Sequence, residues 1–245
     1  MATERNAGLE ALLRYLKVTR GFDFTGYKRS TLMRRILKRM AALKNIKTFE
    51  QYQDWLEVHP EEFATLFNTV LINVTSFFRD TAAWDYLASK IIPRMLKAKR
   101  PVDPIRVGCV GCASGEEAFS VAMLLAEAVG EKDFRNRVKI YATDVDSDAL
   151  AQARHAIYAG KSVAAVPAKL RAKYFESTPA DQFVVKGELR RAVIFGRLDL
   201  VQDAPISRLD LLICRNTLMY FNAEDRKSTR LNSSHSVTSR MPSSA

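Results

Sequence analysis

Apolar residues recur at helical spacing through the first seventy positions, then at strand spacing after position 100. Leu9 to Leu16, Phe49 to Val58 and Glu61 to Ile72 each read as amphipathic helices, the last pair separated by Pro60 at a helix start. Between them, Lys28 to Lys47 places Leu32, Met33, Ile36, Leu37, Met40 and Leu43 on one arc of a helical wheel, with Lys28, Arg34, Arg35, Lys38 and Arg39 on the adjoining arc. Residues 1–70 are therefore expected to form a small all-helical domain.

Beyond them the period changes. Ile105 to Val110 predicts a strand, Gly111-Cys112-Ala113-Ser114-Gly115 a tight turn, and Glu116 to Ala128 an apolar helix. A second strand over Val138 to Thr143 runs into Asp144-Val145-Asp146, and two more are predicted at Ala192 to Leu198 and Leu209 to Cys214. Strand, glycine turn, helix, strand, acid is the order of a nucleotide-binding unit in an α/β, Rossmann-like fold. Glycines let a backbone approach a ligand, and a carboxylate after the second strand can accept both hydroxyls of a ribose. The spacing is not G-x-G-x-x-G, which disfavours a hydride-transfer dehydrogenase and favours another adenosine-bearing cofactor. Ligands of such sheets lie at the carboxyl ends of the strands, an edge that collects Gly111, Glu117, Asp144, Asp199 and Asn216.

Charge adds a second theme. The chain has 38 Lys and Arg against 27 Asp and Glu, a net charge of +11. Residues 1–50 hold twelve basic and four acidic residues, and Lys28 to Lys47 holds eight basic residues and no acidic one. A single-sign stripe without acidic neighbours at i+4 repels itself and suits an acidic partner, protein or nucleic acid. Three cysteines are too few for a disulfide framework in 245 residues and fit a reducing compartment. The Cys109-x-x-Cys112 pair has no second pair to complete a zinc site, and Cys109 falls inside a strand, so both read as small buried residues. His59, His155 and His235 have no ligand-like spacing, so no metal is expected. The longest apolar run, Phe119 to Val129, is too short to span a bilayer.

Four ordered motifs carry a resemblance. LINVTSFFRD (Leu71 to Asp80), GCASGEEAFS (Gly111 to Ser120), YATDVD (Tyr141 to Asp146) and ICRNTLMYF (Ile213 to Phe221) resemble the chemotaxis receptor methyltransferases, the CheR family, over about Leu12 to Asn222. GFDFTGYK and the Arg-rich helix after it look like that family's N-terminal domain, and the variant found in large hybrid sensory proteins is the one most resembled. The resemblance implies a cytoplasmic enzyme that moves a methyl group from S-adenosyl-L-methionine to glutamates on the cytoplasmic helical domain of chemoreceptors, giving glutamyl methyl esters. Its fold would be a Rossmann-like methyltransferase domain over 71–224, with a small β-subdomain at about 158–194. The stretch Phe175 to Phe195 reads as two strands around Lys186-Gly187, a short insertion that points to an enzyme independent of a receptor tether. The basic helix Lys28 to Lys47 would face the receptor, with no nucleic acid and no membrane insertion. A glutamate of pKa about 4.3 is ionised at neutral pH, so its carboxylate needs no general base, and catalysis reduces to placement and exclusion of water.

Residue by residue, the family pattern puts Asn73, Thr75 and Arg79 on a helix that closes over the cofactor. Arg79 is the first choice for orienting the reactive groups and Tyr220 the second. Glu117 is assigned to the cofactor end of the glycine turn, Asp144 to the ribose, Asp199 and Leu200 to the adenine, and Asn216 and Thr217 to the methionine portion. The rival readings are a methyltransferase acting on RNA or a small molecule, and a non-catalytic cofactor-binding module. After Glu224 the family pattern stops: Asp225 to Ala245 has seven serines in 21 residues and no amphipathic period, and reads as a non-native, disordered tail on a truncated domain whose sheet lacks its far strands.

Overall fold

The computed structural model describes residues 2–20, 23, 24, 26–43, 45–71, 73, 75–200, 202–218 and 221. They fall into two compact units, one ending at Asn73 and including Leu218 and Phe221, the other running from Thr75 to Thr217.

The first unit is helical. Its elements are α1 (Ala2–Arg20), α2 (Arg29–Ala41), α3 (Phe49–Val58) and α4 (Pro60–Val70). Local chemistry sets the boundaries: the Thr48 hydroxyl and the Gln51 side chain cap each other's backbone at the start of α3, and Pro60 opens α4 where its missing N–H costs nothing. The expected apolar arc of α2 contributes Leu32, Ile36 and Met40 to a core shared with Leu9, Leu12, Leu16, Tyr52, Leu56 and Leu66. Glu62 is buried among them, and Arg39 reaches it through Nε and Nη2 at 2.6 Å each while the Tyr52 hydroxyl donates to it at 2.8 Å. Burial pushes the Glu62 carboxyl up, but these donors outweigh it and leave the group below its usual range.

Helix α2 is shorter than the expected stripe, and three of its arginines find partners on other segments. Arg29 pairs with Glu10, Arg35 donates to the carbonyls of Thr69 (3.3 Å) and Val70 (2.9 Å) at the end of α4, and Arg39 holds Glu62. No acidic residue lies along the helix itself, and the relief of its self-repulsion comes from neighbouring segments. Arg34, Lys38 and Lys47 remain exposed.

The second unit opens with α5 (Thr81–Tyr86), a wider turn over Leu87–Ile91 and α6 (Ile92–Lys97). Strand β1 (Ile105–Val110) follows, then α7 (Glu116–Val129), α8 (Glu131–Arg137) and β2 (Val138–Asp144). Next come α9 (Ser147–His155), β3 (Ile157–Ala159), α10 (Gly160–Val163), α11 (Ala168–Tyr174), β4 (Phe175–Ser177) and β5 (Gln182–Val185). The unit ends with α12 (Gly187–Arg190), β6 (Val193–Arg197) and β7 (Leu211–Ile213). The main sheet is parallel, in the order β6-β2-β1-β7, so its central pair reads as near-continuous apolar sequence. Helix α7 supplies the largest apolar face, with Phe119, Val121, Ala122, Met123 and Leu125 fully buried.

One expectation needs correction and another refining. Asn73, Thr75 and Arg79 do not lie on a helix: α4 stops at Val70, α5 starts at Thr81, and Phe78 (φ 49°) and Asp80 (φ 59°) adopt the left-handed region. Phe77 packs edge-on against Tyr158 and Phe175, whereas Phe78 packs against Trp84, so the two adjacent rings anchor this segment in different places. The two strands expected around Lys186-Gly187 are present as β5 and β6, but Gly187–Arg190 between them is a turn of helix and they join different sheets, β5 pairing with β3 and β4 in a small antiparallel sheet and β6 with β2. Residues Asp225 to Ala245 lie outside the described residues.

Candidate cofactor site

The glycine turn after β1 is built to stay bare. Gly111 (φ 71°), Ala113 (φ 44°) and Gly115 (φ 94°) are all left-handed, and the N–H groups of Gly111 and Cys112 are held by the Thr143 carbonyl at 2.8 and 3.1 Å. A Cβ on Gly111 would stand 2.1 Å from Thr217 Oγ1, so Thr217, four residues past the β7 end, presses directly on the turn. A Cβ on Gly115 would meet Ala153 and Tyr158 at 3.0 and 3.1 Å. Tyr158 also donates from its hydroxyl to the Ser114 carbonyl at 2.8 Å, a clamp from the small sheet that sequence reading did not foresee.

Asp144 ends β2 with its carboxylate fixed by two backbone donors, Ala113 N–H at 2.8 Å and Asp146 N–H at 3.0 Å. Each oxygen keeps a lone pair for a diol. Burial raises its pKa, and the two N–H donors pull back against that. Asp146 caps α9 through Asp148 and Ala149 N–H, which turns the chain sharply after the strand. The Leu198 N–H bonds to the Asp144 carbonyl at 3.0 Å, which sets buried Asp199 and half-buried Leu200 at the same sheet edge.

Glu116 and Glu117 both occupy the first turn of α7, where the helix dipole favours a carboxylate. They differ in what they face. Glu116 accepts from the Ser114 hydroxyl at 2.8 Å, while Glu117 turns toward Cys109 Sγ (3.5 Å) and Arg215 Nη1 (3.3 Å). Burial pushes the Glu117 carboxyl up to about 7, with Arg215, the Cys109 thiol and Arg79 opposing the rise. The Cys109 and Cys112 thiols are themselves pushed up by burial and stay protonated, as small core residues do.

Arg79 is half-buried, and its carbonyl accepts from Trp84 Nε1 and Arg215 Nη2, each at 2.8 Å. Thr75 is half-buried at the start of the same segment, and Asn216 is exposed with φ 57° just past β7. Asn73 is half-buried at the end of the helical unit, and Tyr220 lies outside the described residues. The sheet edge thus brings together Gly111, Glu117, Asp144, Asp199 and Thr217, with Arg79 tied to it through Arg215. Arg215 itself was missed as a site residue. The only signal for it was its place immediately after the fourth strand.

A parallel sheet with a glycine turn after its first strand, a buried acid after its second and a buried carboxylate on the helix between is the arrangement of an adenosine-cofactor domain. The carboxylates suit S-adenosylmethionine, whose ribose offers a diol and whose amino-acid end offers an ammonium. Comparison with known proteins places the domain. Residues 73–237 match the family model for the CheR methyltransferase SAM binding domain, and residues 7–71 match the CheR methyltransferase all-alpha domain. The chain belongs to the CheR methyltransferase family.

Relatives include a chemotaxis protein methyltransferase of Borreliella burgdorferi, 32% identical over 205 residues that cover 81% of this chain and 72% of that protein. Another is a chemotaxis protein methyltransferase of Listeria monocytogenes, 33% identical over 87% of this chain and 78% of that protein. An uncharacterized 104.1 kDa protein of Rhodobacter capsulatus is 34% identical over 88% of this chain, which spans only 22% of that protein's length. Among the described residues no helix is long and apolar enough to cross a membrane.

Proposed function

We propose that the chain methylates glutamate side chains on the cytoplasmic helical domain of chemoreceptors, working in the cytoplasm. The observation that carries this is the sheet edge, where Asp144 and Glu117 flank a turn whose Gly111 admits no side chain and a half-buried arginine, Arg79, is fixed by its own carbonyl nearby. When bound there, S-adenosylmethionine supplies an electrophilic methyl on a positively charged sulfur. The protein's own contribution is placement. Asp144 holds the ribose hydroxyls, Asp199 and Leu200 border the adenine, Glu117 takes the ammonium end, and Asn216 and Thr217 close on the methionine portion. Asn73 and Thr75 are assigned to the same cofactor from the motif they share with Arg79. The Arg79 guanidinium, with its planar fork, orients the incoming glutamate carboxylate, and Tyr220 is the second candidate for that task. No proton need move, because the substrate carboxylate is ionised.

The receptor is engaged through the exposed cations of α2 and its flank, Arg34, Lys38 and Lys47. The decisive assay is labelled-methyl transfer to a receptor fragment with Arg79→Lys and Arg79→Ala. The alanine variant is expected to lose about 100-fold or more in kcat, since misplacing one reactant by an ångström costs that much, while S-adenosylhomocysteine affinity changes far less. A product methyl that resists mild alkali would be no ester and would overturn the substrate assignment.

A further inference from the structure

Arg215 follows β7 by two residues, and its single guanidinium reaches three segments of the second unit. Nη2 donates to Asp80 Oδ2 at 2.7 Å and to the Arg79 carbonyl at 2.8 Å, and Nη1 donates to Glu117 Oε2 at 3.3 Å. Its carbon lies 5.3 Å from the centre of the Trp84 ring, and the Trp84 indole donates to the same Arg79 carbonyl. The peptide it grips is under strain, because left-handed Phe78 and Asp80 stand on either side of Arg79. Such a conformation persists only when neighbours over-determine it, and here two donors fix the one carbonyl while the Phe78 N–H is held by Ser120 Oγ at 3.1 Å.

We propose that Arg215 is the positioning residue of this site: one cation holds the Arg79 segment in place and bonds the Glu117 carboxylate, so that substrate-orienting and cofactor-binding groups are set together. The proposal rests on the reading of Arg79 and Glu117 given above.

The charges facing Glu117 can be enumerated. Arg215 comes from the β7 end, Arg79 from the segment before α5, and the Cys109 thiol from β1, while Glu116 on the same helix turns to Ser114. The thiols of Cys109 and neighbouring Cys214 are raised by burial, the latter to about 12, and so do not titrate near neutrality. With the Glu117 carboxyl near 7, about half of it is ionised at that pH, and loss of Arg215 shifts its titration upward.

The test uses Arg215→Gln and Arg215→Lys with three readouts: the Glu117 titration followed by carboxyl carbon NMR without cofactor, S-adenosylhomocysteine affinity by calorimetry from pH 6 to 9, and kcat. The glutamine variant is expected to titrate at least one unit higher. It should bind the cofactor product about tenfold more weakly at pH 7, with the deficit narrowing toward pH 9 as Glu117 ionises unaided. The lysine variant keeps the charge but not the fork, so its titration and affinity should stay near wild type while kcat falls. If the glutamine variant does not fold, the lysine variant alone carries the split between affinity and kcat.

A loss of affinity that is the same at every pH, with the Glu117 titration unmoved, would reduce Arg215 to a structural brace and end the proposal. Unchanged binding by Glu117→Gln would instead overturn the assignment of Glu117 to the cofactor, on which the proposal stands.

Discussion

Glycine at 111 is dictated twice, by a φ of 71° and by Thr217 Oγ1 standing 2.1 Å from where a Cβ would lie. Gly130, with φ 79° and nothing within 4 Å of its Cβ, shares only the first constraint. The two positions therefore separate backbone strain from the close approach. Gly130→Ala should cost about 1–3 kcal/mol, because φ 79° with ψ 160° is backbone that essentially only glycine adopts, and leave cofactor affinity alone. Gly111→Ala should cost about 2–4 kcal/mol by thermal melting and weaken S-adenosylhomocysteine at least tenfold, because Thr217 must move off the turn. Equal effects of the two would mean that Thr217 gives way freely. At this scale the glycine turn and Asp144 were legible because their neighbours in sequence are their neighbours in space. Arg215 was not, since residues 79, 80, 117 and 215 meet only through the sheet, and no local pattern reports a bond between a guanidinium and a carbonyl 136 positions away.

Elements with an unbroken period were the easiest to read: α3 and β1 occupy the expected Phe49 to Val58 and Ile105 to Val110. The segment 75–79 resisted because paired aromatics fit a helix as easily as a turn in one dimension, and only Tyr158, Phe175 and Trp84 separate them. The small sheet resisted for a similar reason. Its strands β3 and β4 have three residues each, too few to show alternation, and the apolar run read as two strands around Lys186-Gly187 is divided between two sheets. That shortness has a functional consequence. A receptor tail docking as an added strand draws its affinity from main-chain bonds along an edge, and each edge strand offers only Ile157–Ala159 or Phe175–Ser177. Peptides copied from receptor C-termini are therefore expected to show no micromolar binding in calorimetric titration. A micromolar complex lost on substitution of Ile157, an exposed residue of the β3 edge, would refute tether independence.

Across the whole molecule, charge is distributed by task. The cofactor end of the sheet gathers buried carboxylates, Glu116, Glu117, Asp144 and Asp199, whereas the surplus of eight positive charges in residues 1–50 belongs to the helical unit. Part of that surplus is committed inward: Arg29, Arg35 and Arg39 tie α2 to Glu10, to the end of α4 and to Glu62. Replacing Arg39 would probe stability rather than recognition, because an uncompensated Glu62 would be left buried. Arg34 and Lys38, four residues apart on one exposed face of α2, carry no such duty and can be reversed without disturbing the core. If they meet an acidic receptor helix, Arg34→Glu with Lys38→Glu should raise KM for a receptor fragment about tenfold at low ionic strength, each exposed pair being worth up to about 1 kcal/mol. The gap between variant and wild type should shrink as salt screens the encounter, while melting temperature and S-adenosylhomocysteine affinity stay unchanged. An unaltered KM at low salt would move the receptor-binding surface elsewhere on the protein, and a KM difference indifferent to salt would mean that shape, not charge, is what α2 presents.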